Sequence, residues 1–323
     1  MGVAVNVSGT WKNITKAYIN IGGAWKQVQA IYANVSGVWK KVWALEQWMA
    51  KASMPTARSR LAAATINGRL YAIGGNSSST YLTNCEEYDP NTNTWTVKAS
   101  MPTGRNSLAA AAPGNGRLYA VGGIGSDGVY LTTNEEYNPS TNTWTAKADM
   151  SVRKYLLVAV APGNGKLYAI GGIGTANEEY DPYTNTWTAK ANLPSRQLGA
   201  GGAAVSGKIY VIEGQDGGYN VPYCREYDPS TNTWTTKANS PQMRVSLAAA
   251  APGNGKIYAM GGYKSNVNLE YNPATNTWAT KAPMLTARQH LAAVAPGNGK
   301  LYAIGGYNSG YLATCEEYDP GTT

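Results

Sequence analysis

The chain has 323 residues, 43% hydrophobic and 14% charged, too apolar for a disordered chain and too weakly charged for a coiled coil. It holds no run of 18 apolar residues, which excludes membrane insertion by a helix, and its start lacks the basic and apolar regions of a signal peptide. The net charge of +8 does not imply nucleic acid: Lys12, Lys16, Lys26, Lys40 and Lys41 fall in the first 45 residues, which hold no acid, and the remainder shows no clustered phosphate-facing surface.

Residues 1–45 come first, as a short repeat. Trp11, Trp25 and Trp39 are spaced by 14 residues, each followed by Lys. Around them apolar and polar residues alternate about Gly9, Gly22-Gly23 and Gly37, which predicts β-hairpins. So short a segment buries little core alone. It is expected to depend on the rest of the chain, on another copy of itself, or on a larger particle.

A longer repeat fills residues 46–323. One anchor is a strand ending in Gly-Gly, at Gly74-Gly75, Gly122-Gly123, Gly171-Gly172, Gly261-Gly262 and Gly305-Gly306, with Glu213-Gly214 as the imperfect copy. The other is a Trp after a turn, at Trp48, Trp95, Trp144, Trp187, Trp234 and Trp278. From each Trp to the second Gly of the next anchor the distance is 27 or 28 residues; from that Gly to the following Trp it varies between 15 and 21. A rigid length plus one elastic loop predicts a four-stranded propeller blade. The inner strand is small and apolar, as in Leu61-Ala62-Ala63-Ala64, and Asn67-Gly68 supplies the positive φ of a hairpin turn. The Tyr-rich second strand runs into Gly-Gly, Glu86-Glu87-Tyr88 is the third strand, and the outer strand carries the Trp.

The Gly-Gly, the Tyr-Asp-Pro turn, the Trp and the following Met-Pro-x-x-Arg resemble kelch repeats, in six copies over residues 46–323. The resemblance implies an all-β, six-bladed propeller. The last copy stops at Thr323 before its Trp, while Trp48 precedes any Gly-Gly. The strand around Trp48 is therefore expected to complete the last blade and close the ring. The shorter repeat resembles the Tyr-x-Asn-x-Gly-Gly-x-Trp-Lys repeats of bacteriophage and prophage tail or appendage proteins. That likeness implies an attachment segment at 1–45, bound to other particle proteins, on a virion or extracellular particle assembled in the bacterial cytoplasm.

Arg58, Arg105, Arg153, Arg196, Arg244 and Arg288 recur once per blade, as do Glu87, Glu136, Glu179, Glu226, Glu270 and Glu317. Equal numbers in fixed register suggest a structural ion pair repeated around the ring, rather than an anion clamp. Two residues beyond each Arg the sequence reads Arg60, Ser107, Tyr155, Leu198, Ser246 and His290, varying while its surroundings do not. In the kelch family such positions face the central mouth, beside the loops between second and third strands. Those loops vary in length here: 76–85, 124–134, 173–177, 215–224, 263–268 and 307–315. Arg60, Ser107, Tyr155, Ser246 and His290, with the loop residues Tyr219, Tyr223, Tyr263 and Tyr307, are the candidate ligand-binding residues; Tyr, Ser, Asn and Gly make adaptable contacts. Tyr81, Tyr130 and Tyr311 share a Tyr-Leu-Thr/Ala context and either join this surface or pack the loop base.

Other motifs reduce to structure. Gly123-x-Gly125-x-x-Gly128 lacks the helix that a dinucleotide fingerprint needs, and Asp89-x-Asn91-x-Asn93 lacks the Gly and the closing Glu of a calcium loop. Cys85, Cys224 and Cys315 hold one register in separate blades and are expected to be free buried thiols; with one His, zinc is not expected. Among kelch enzymes, copper oxidases need two His, and sialidase-type Asp boxes are absent. A sialic-acid mutarotase would rest on Arg60, His290 and Glu213. The leading reading is a binder without catalytic residue, metal or cofactor, whose propeller loops take a host surface glycan or protein, a glycan first; a purely structural particle component and a carbohydrate-active enzyme are the alternatives.

Overall fold

The computed structural model describes residues 46–78 and 80–321 in full, and before them six strands by their backbone pairing. Those six strands form three hairpins in one shared register, with Asn6 opposite Trp11, Asn20 opposite Trp25 and Asn34 opposite Trp39. The predicted glycine turns at Gly9, Gly22, Gly23 and Gly37 lie outside the described residues, as do residues 1–3, 322 and 323.

Six four-stranded antiparallel sheets follow. In the first blade the strands are Ala62–Ile66, Arg69–Ile73, Cys85–Asp89 and Thr94–Lys98, hydrogen-bonded in sequence order. The sixth blade takes Ala292–Val294, Leu301–Ile304 and Cys315–Asp319 from the end of the chain and Gln47–Lys51 from before the first blade, with Trp48 opposite Tyr318. The predicted closure is therefore present, and the seam leaves no unpaired strand edge inside the blade.

The core sits between blades. Each of the six hydrophobic clusters draws its residues from two adjacent blades, the seam between blades 6 and 1 included. Alanine-rich inner strands let six sheets approach one axis, and larger residues fill the widening wedge outside. At all six interfaces a second-strand Tyr meets a third-strand Tyr of the next blade, as in Tyr71 with Tyr137 and Tyr302 with Tyr88. Each Trp indole donates to the carbonyl of the residue leaving the previous outer strand, from Trp95 to Ala52 and, at the seam, from Trp48 to Ala282.

The chain contains no Phe, and the core supplies a physical reason. Tyr71, Tyr119, Tyr168, Tyr210, Tyr258 and Tyr302 donate their hydroxyls to Glu87, Glu136, Glu179, Glu226, Glu270 and Glu317. The third-strand tyrosines donate to the turn asparagines Asn93, Asn142, Asn185, Asn232 and Asn276, and Tyr318 to Glu46 at the seam. Phe in either row would leave a carboxylate or amide short of a donor.

The propeller has two distinct faces. One carries the tight turns between inner and second strands and between third and outer strands. The other carries the second-to-third loops and the connections from each outer strand to the next inner strand. Gln47 pairs with Asp319 at the turn-face end of its sheet, so the chain before residue 46 joins the propeller on the face opposite the variable loops.

Candidate functional site

The cations behind the loop face are structural, but not all are those expected. Arg58 pairs with Glu86, Arg105 with Glu135, Lys154 with Glu178 and Arg288 with Glu316, all buried. Burial lowers the pKa of Arg58 and Lys154, and the facing carboxylate opposes that shift. Each cation also reaches backbone carbonyls of its blade, such as Gly122, Thr133 and Ala120 for Arg105. Two corrections follow. Arg153 is exposed and Arg196 half-buried, and the frame positions belong to Lys154 and to Gln197, which donates to the carbonyls of Val211, Glu213 and Tyr223. The acid is the first of each Glu pair; the second accepts from the core Tyr and faces a Lys of the outer strand, as Glu136 does with Lys147. Counting four residues from Met54, Met101, Met150, Leu193, Ser240 and Met284 finds the frame, whereas matching on Arg misplaces two blades by one residue.

Two residues past the frame positions, the chain closes a ring at the mouth. The N–H of Arg60 donates to His290 O, Ser107 to Arg60, Leu156 to Ser107, Gly199 to Leu156, Ser246 to Gly199 and His290 to Ser246, at 2.8–3.0 Å. All six residues have φ between 50° and 63°. That region costs a side chain roughly 1 kcal/mol, and only Gly199 escapes the cost. Because the ring consumes its own N–H and C=O groups, the mouth offers side chains rather than backbone donors. The structure brings Arg60, Ser107, Ser246 and His290 together here. It puts Leu156 and Gly199 where Tyr155 and Leu198 were expected; Tyr155 instead stacks on Tyr130, ring centroids 4.4 Å apart.

The mouth is asymmetric. Arg60 is exposed and cationic, and beside it burial first, then the Arg60 charge, lower the His290 pKa to about 4, so its imidazole is neutral near pH 7. His290 Nδ1 and Ser107 Oγ are buried and have no hydrogen-bond partner among the described residues. Leu156 and Gly199 make the opposite side apolar. The channel beneath, walled mostly by Ala, has about 140 Å³ in its upper part. A second cavity of about 220 Å³ continues the channel toward the turn face; ligand pockets commonly run to about 300 Å³ and more, so the loop-face end of the axis holds only a small group.

Around the mouth the loop tyrosines divide. Tyr219, Tyr263 and Tyr307 are exposed. Tyr223 is half-buried with the Arg225 guanidinium over its ring at 4.7 Å. Tyr311 is tied to the loop of blade 1 through Asn76 and the Ser78 carbonyl. Exposed Met243 and Leu285 also belong to this face and carried no signal in the repeat pattern.

Glu213 is not a mouth residue. It is fully buried between blades 4 and 5, accepting from the Arg244 guanidinium and backbone N–H and from Ser240. The channel lining holds no carboxylate among the described residues. Asp89 accepts from the N–H of Asn91 and pairs with Arg69, as a turn. Gly128 N–H closes a turn onto Gly125 O with no helix following. Cys85, Cys224 and Cys315 are free and buried, and burial pushes each thiol up to about 12. Among the described residues no group of three or more His, Cys, Asp or Glu side chains is placed to hold a metal, and no helix is long and apolar enough to cross a membrane.

Comparison with known proteins matches the kelch motif at residues 57–102, 105–151, 198–241 and 290–323, more than half of the chain, and a second form of the motif at 244–285. Kelch-like protein 35 of Mus musculus is 35% identical over 85 residues, 26% of this chain and 15% of that protein. The chain thus matches only a small part of that relative's length. The solved structure of YjhT superposes with a TM-score of 0.71 at 20% identity, covering 84% of this chain and 95% of that one. At that identity the likeness speaks for the fold alone.

Proposed function

The chain belongs to the kelch-repeat family, and we propose that it is a non-catalytic binding propeller whose loop face takes a surface ligand, a host glycan, while residues 1–45 fasten it to a phage or phage-like particle. One observation carries the binding role: the blades share one buried frame, exchanged for equivalent buried contacts in blades 3, 4 and 5, and depart most from one another at the mouth ring and the second-to-third loops. A purely architectural ring has no use for Arg60, Ser107, Leu156, Ser246 and His290 in a backbone region that favours Gly. Against turnover stands the mouth's chemistry: a neutral imidazole of low pKa and a guanidinium, with no carboxylate among the described lining residues to complete an acid–base pair. The particle role draws on the likeness of the Trp-Lys repeats to phage appendage proteins and on the point of attachment, which leaves the loops facing away.

The test is attachment of the labelled full chain to a panel of bacterial strains. Saturable, strain-selective attachment that Tyr219→Ala or Tyr263→Ala weakens about tenfold supports the reading. A folded chain that attaches to no strain, but whose loop variants fail to join particles, would move the weight to assembly.

A further inference from the structure

We infer that Asn67 is the residue at which the folded chain modifies itself, losing its side-chain amide to attack by the backbone nitrogen of Gly68. Asn-Gly occurs five times, at Asn67, Asn115, Asn164, Asn254 and Asn298, always in the turn between inner and second strands. All five asparagines are exposed, so access to water does not separate them. Hydrogen bonding does. In blades 2, 3, 5 and 6 both ends of the amide are held. Oδ1 accepts from the N–H two residues on, at 3.1 Å in each turn. Nδ2 donates to the second-strand tyrosine at 2.8–3.2 Å, and that hydroxyl is fixed in turn by its glutamate. Asn67 makes neither bond among the described residues, and Tyr71 donates to Glu87 with no amide behind it.

The difference follows from turn length. Blade 1 closes with two residues, Ile66 pairing with Arg69, and both Asn67 and Gly68 carry positive φ, 50° and 77°. The longer turns read Pro-Gly-Asn-Gly; there the glycines on either side, such as Gly114 and Gly116, take the positive φ, and the Asn amide turns back to its tyrosine. Blade 4 has the short turn with Ser206-Gly207 at 51° and 76°, so the fold needs no amide there. Apart from its chain neighbours, a Cβ placed on Gly68 would meet no heavy atom within 4 Å, which leaves room for a ring at the turn. Gly68 N gives its proton to solvent and attacks Asn67 Cγ. The new N–Cγ bond forms as Cγ–Nδ2 breaks, and Nδ2 takes up a proton and leaves as ammonia. Water then opens the five-membered imide at either carbonyl, giving aspartate or isoaspartate. Both add a negative charge close in sequence to Arg69, which already pairs with Asp89; isoaspartate also lengthens the main chain of a two-residue turn.

The experiment incubates the full chain in mildly alkaline buffer, folded and in denaturant, and follows each Asn-Gly by peptide mapping and mass spectrometry. Ile66 precedes Asn67, whereas glycine precedes the other four, and a stiff β-branched neighbour hinders the ring closure. The unfolded chain is therefore expected to convert Asn67 last. The folded chain is expected to reverse that order, converting Asn67 about fivefold faster than any other site, the factor of one intact hydrogen bond. Asn67→Ser, which copies the turn of blade 4, removes the first acidic species seen on ion exchange. Tyr119→Phe withdraws the acceptor from Asn115 and raises conversion there, leaving Asn164, Asn254 and Asn298 unchanged. Equal rates at the five sites of the folded chain, or the unfolded order retained, overturn the inference. So does a folded chain that converts nowhere while the unfolded chain does, since the turn would then hold Asn67 as firmly as the tyrosines hold the rest.

Discussion

His290 is the chain's single histidine, so the mouth can be followed by titrating one imidazole. Its folded pKa is held near 4 by burial and then by Arg60, against 6.5 ordinarily. Between those values the unfolded chain binds a proton that the folded chain refuses. The stability contributed is fully present above pH 6.5 and is lost as pH falls toward 4, on the order of 3 kcal/mol. His290→Gln is expected to flatten that part of the stability profile, read from denaturant midpoints at pH 7 and pH 4.5. An NMR titration centred near 6.5 in the native chain would show that the ring is solvated instead. Tyr119→Phe probes the other side of the blade: it removes a donor from Glu136 while Lys147 stays, and a loss of about 1–2 kcal/mol is expected. An unchanged midpoint would mean that the Tyr–Glu bond contributes nothing. At this scale the sequence was partly legible. Arg60, Ser107, Ser246 and His290 stood out because their neighbours repeat and they do not. Tyr155 and Leu198 were misassigned because Arg153 and Arg196 mimic a frame residue by type, while the backbone keeps count from the buried Met or Leu.

Blades 4 and 5 show how a repeat can break its rule and keep its packing. Elsewhere the first Gly of the pair lies against the next blade; a Cβ on Gly74 would come within 2.8 Å of the Arg105 carbonyl and 3.0 Å of Met101 Cε. At the blade 4–5 interface Ser240 stands in for the Met, and Glu213, at φ 57°, occupies the room released. The exchange also moves a charge. Leu269 replaces the acid that the third strand of blade 5 would offer, and Arg244 takes Glu213 from blade 4 instead. Glu213→Gly, although it restores the repeat, is expected to cost about 3–5 kcal/mol, because it leaves the buried Arg244 without a carboxylate. Adding Ser240→Met and Leu269→Glu rebuilds the arrangement of blades 1, 2 and 6 and is expected to recover most of that loss. If Glu213→Gly alone proves neutral in denaturant unfolding, the buried pair is not a stabilising element. None of this was visible in the sequence, where Glu213 read as a decayed copy or a catalytic acid. Its partners lie in the following blade, and only packing brings them to it.

For the whole molecule the ring was legible from counting alone, since a fixed distance from Trp to Gly-Gly and an elastic one after it leave a single way to phase six blades. Closure depends on five residues, Gln47–Lys51, that pair with Cys315–Asp319 and then lead into blade 1. They bind the two ends of the propeller as a cross-link would. The seam also departs from the other interfaces in one residue: Glu46 takes the place of the turn asparagine, accepting from Tyr318 and pairing with Lys281. Moving residues 46–51 to follow Thr322 separates the two roles of this strand. Asp319-Pro320-Gly321-Thr322-Glu46-Gln47-Trp48 would have the same length as Asp89-Pro90-Asn91-Thr92-Asn93-Thr94-Trp95, so the sixth blade can form from one continuous run. What is lost is the covalent step from Lys51 to Ala52 between blades 6 and 1. The rearranged chain is expected to keep the β-sheet circular dichroism of the parent and to lose about 3–5 kcal/mol of stability, the scale of a cross-link across a long loop. Equal stability in the two chains would mean that the contacts at the seam, Trp95 to Ala52 and Tyr88 to Tyr302 among them, hold the ring without the shared strand. A rearranged chain that fails to fold would show instead that the strand must be anchored on both sides before blade 6 can assemble.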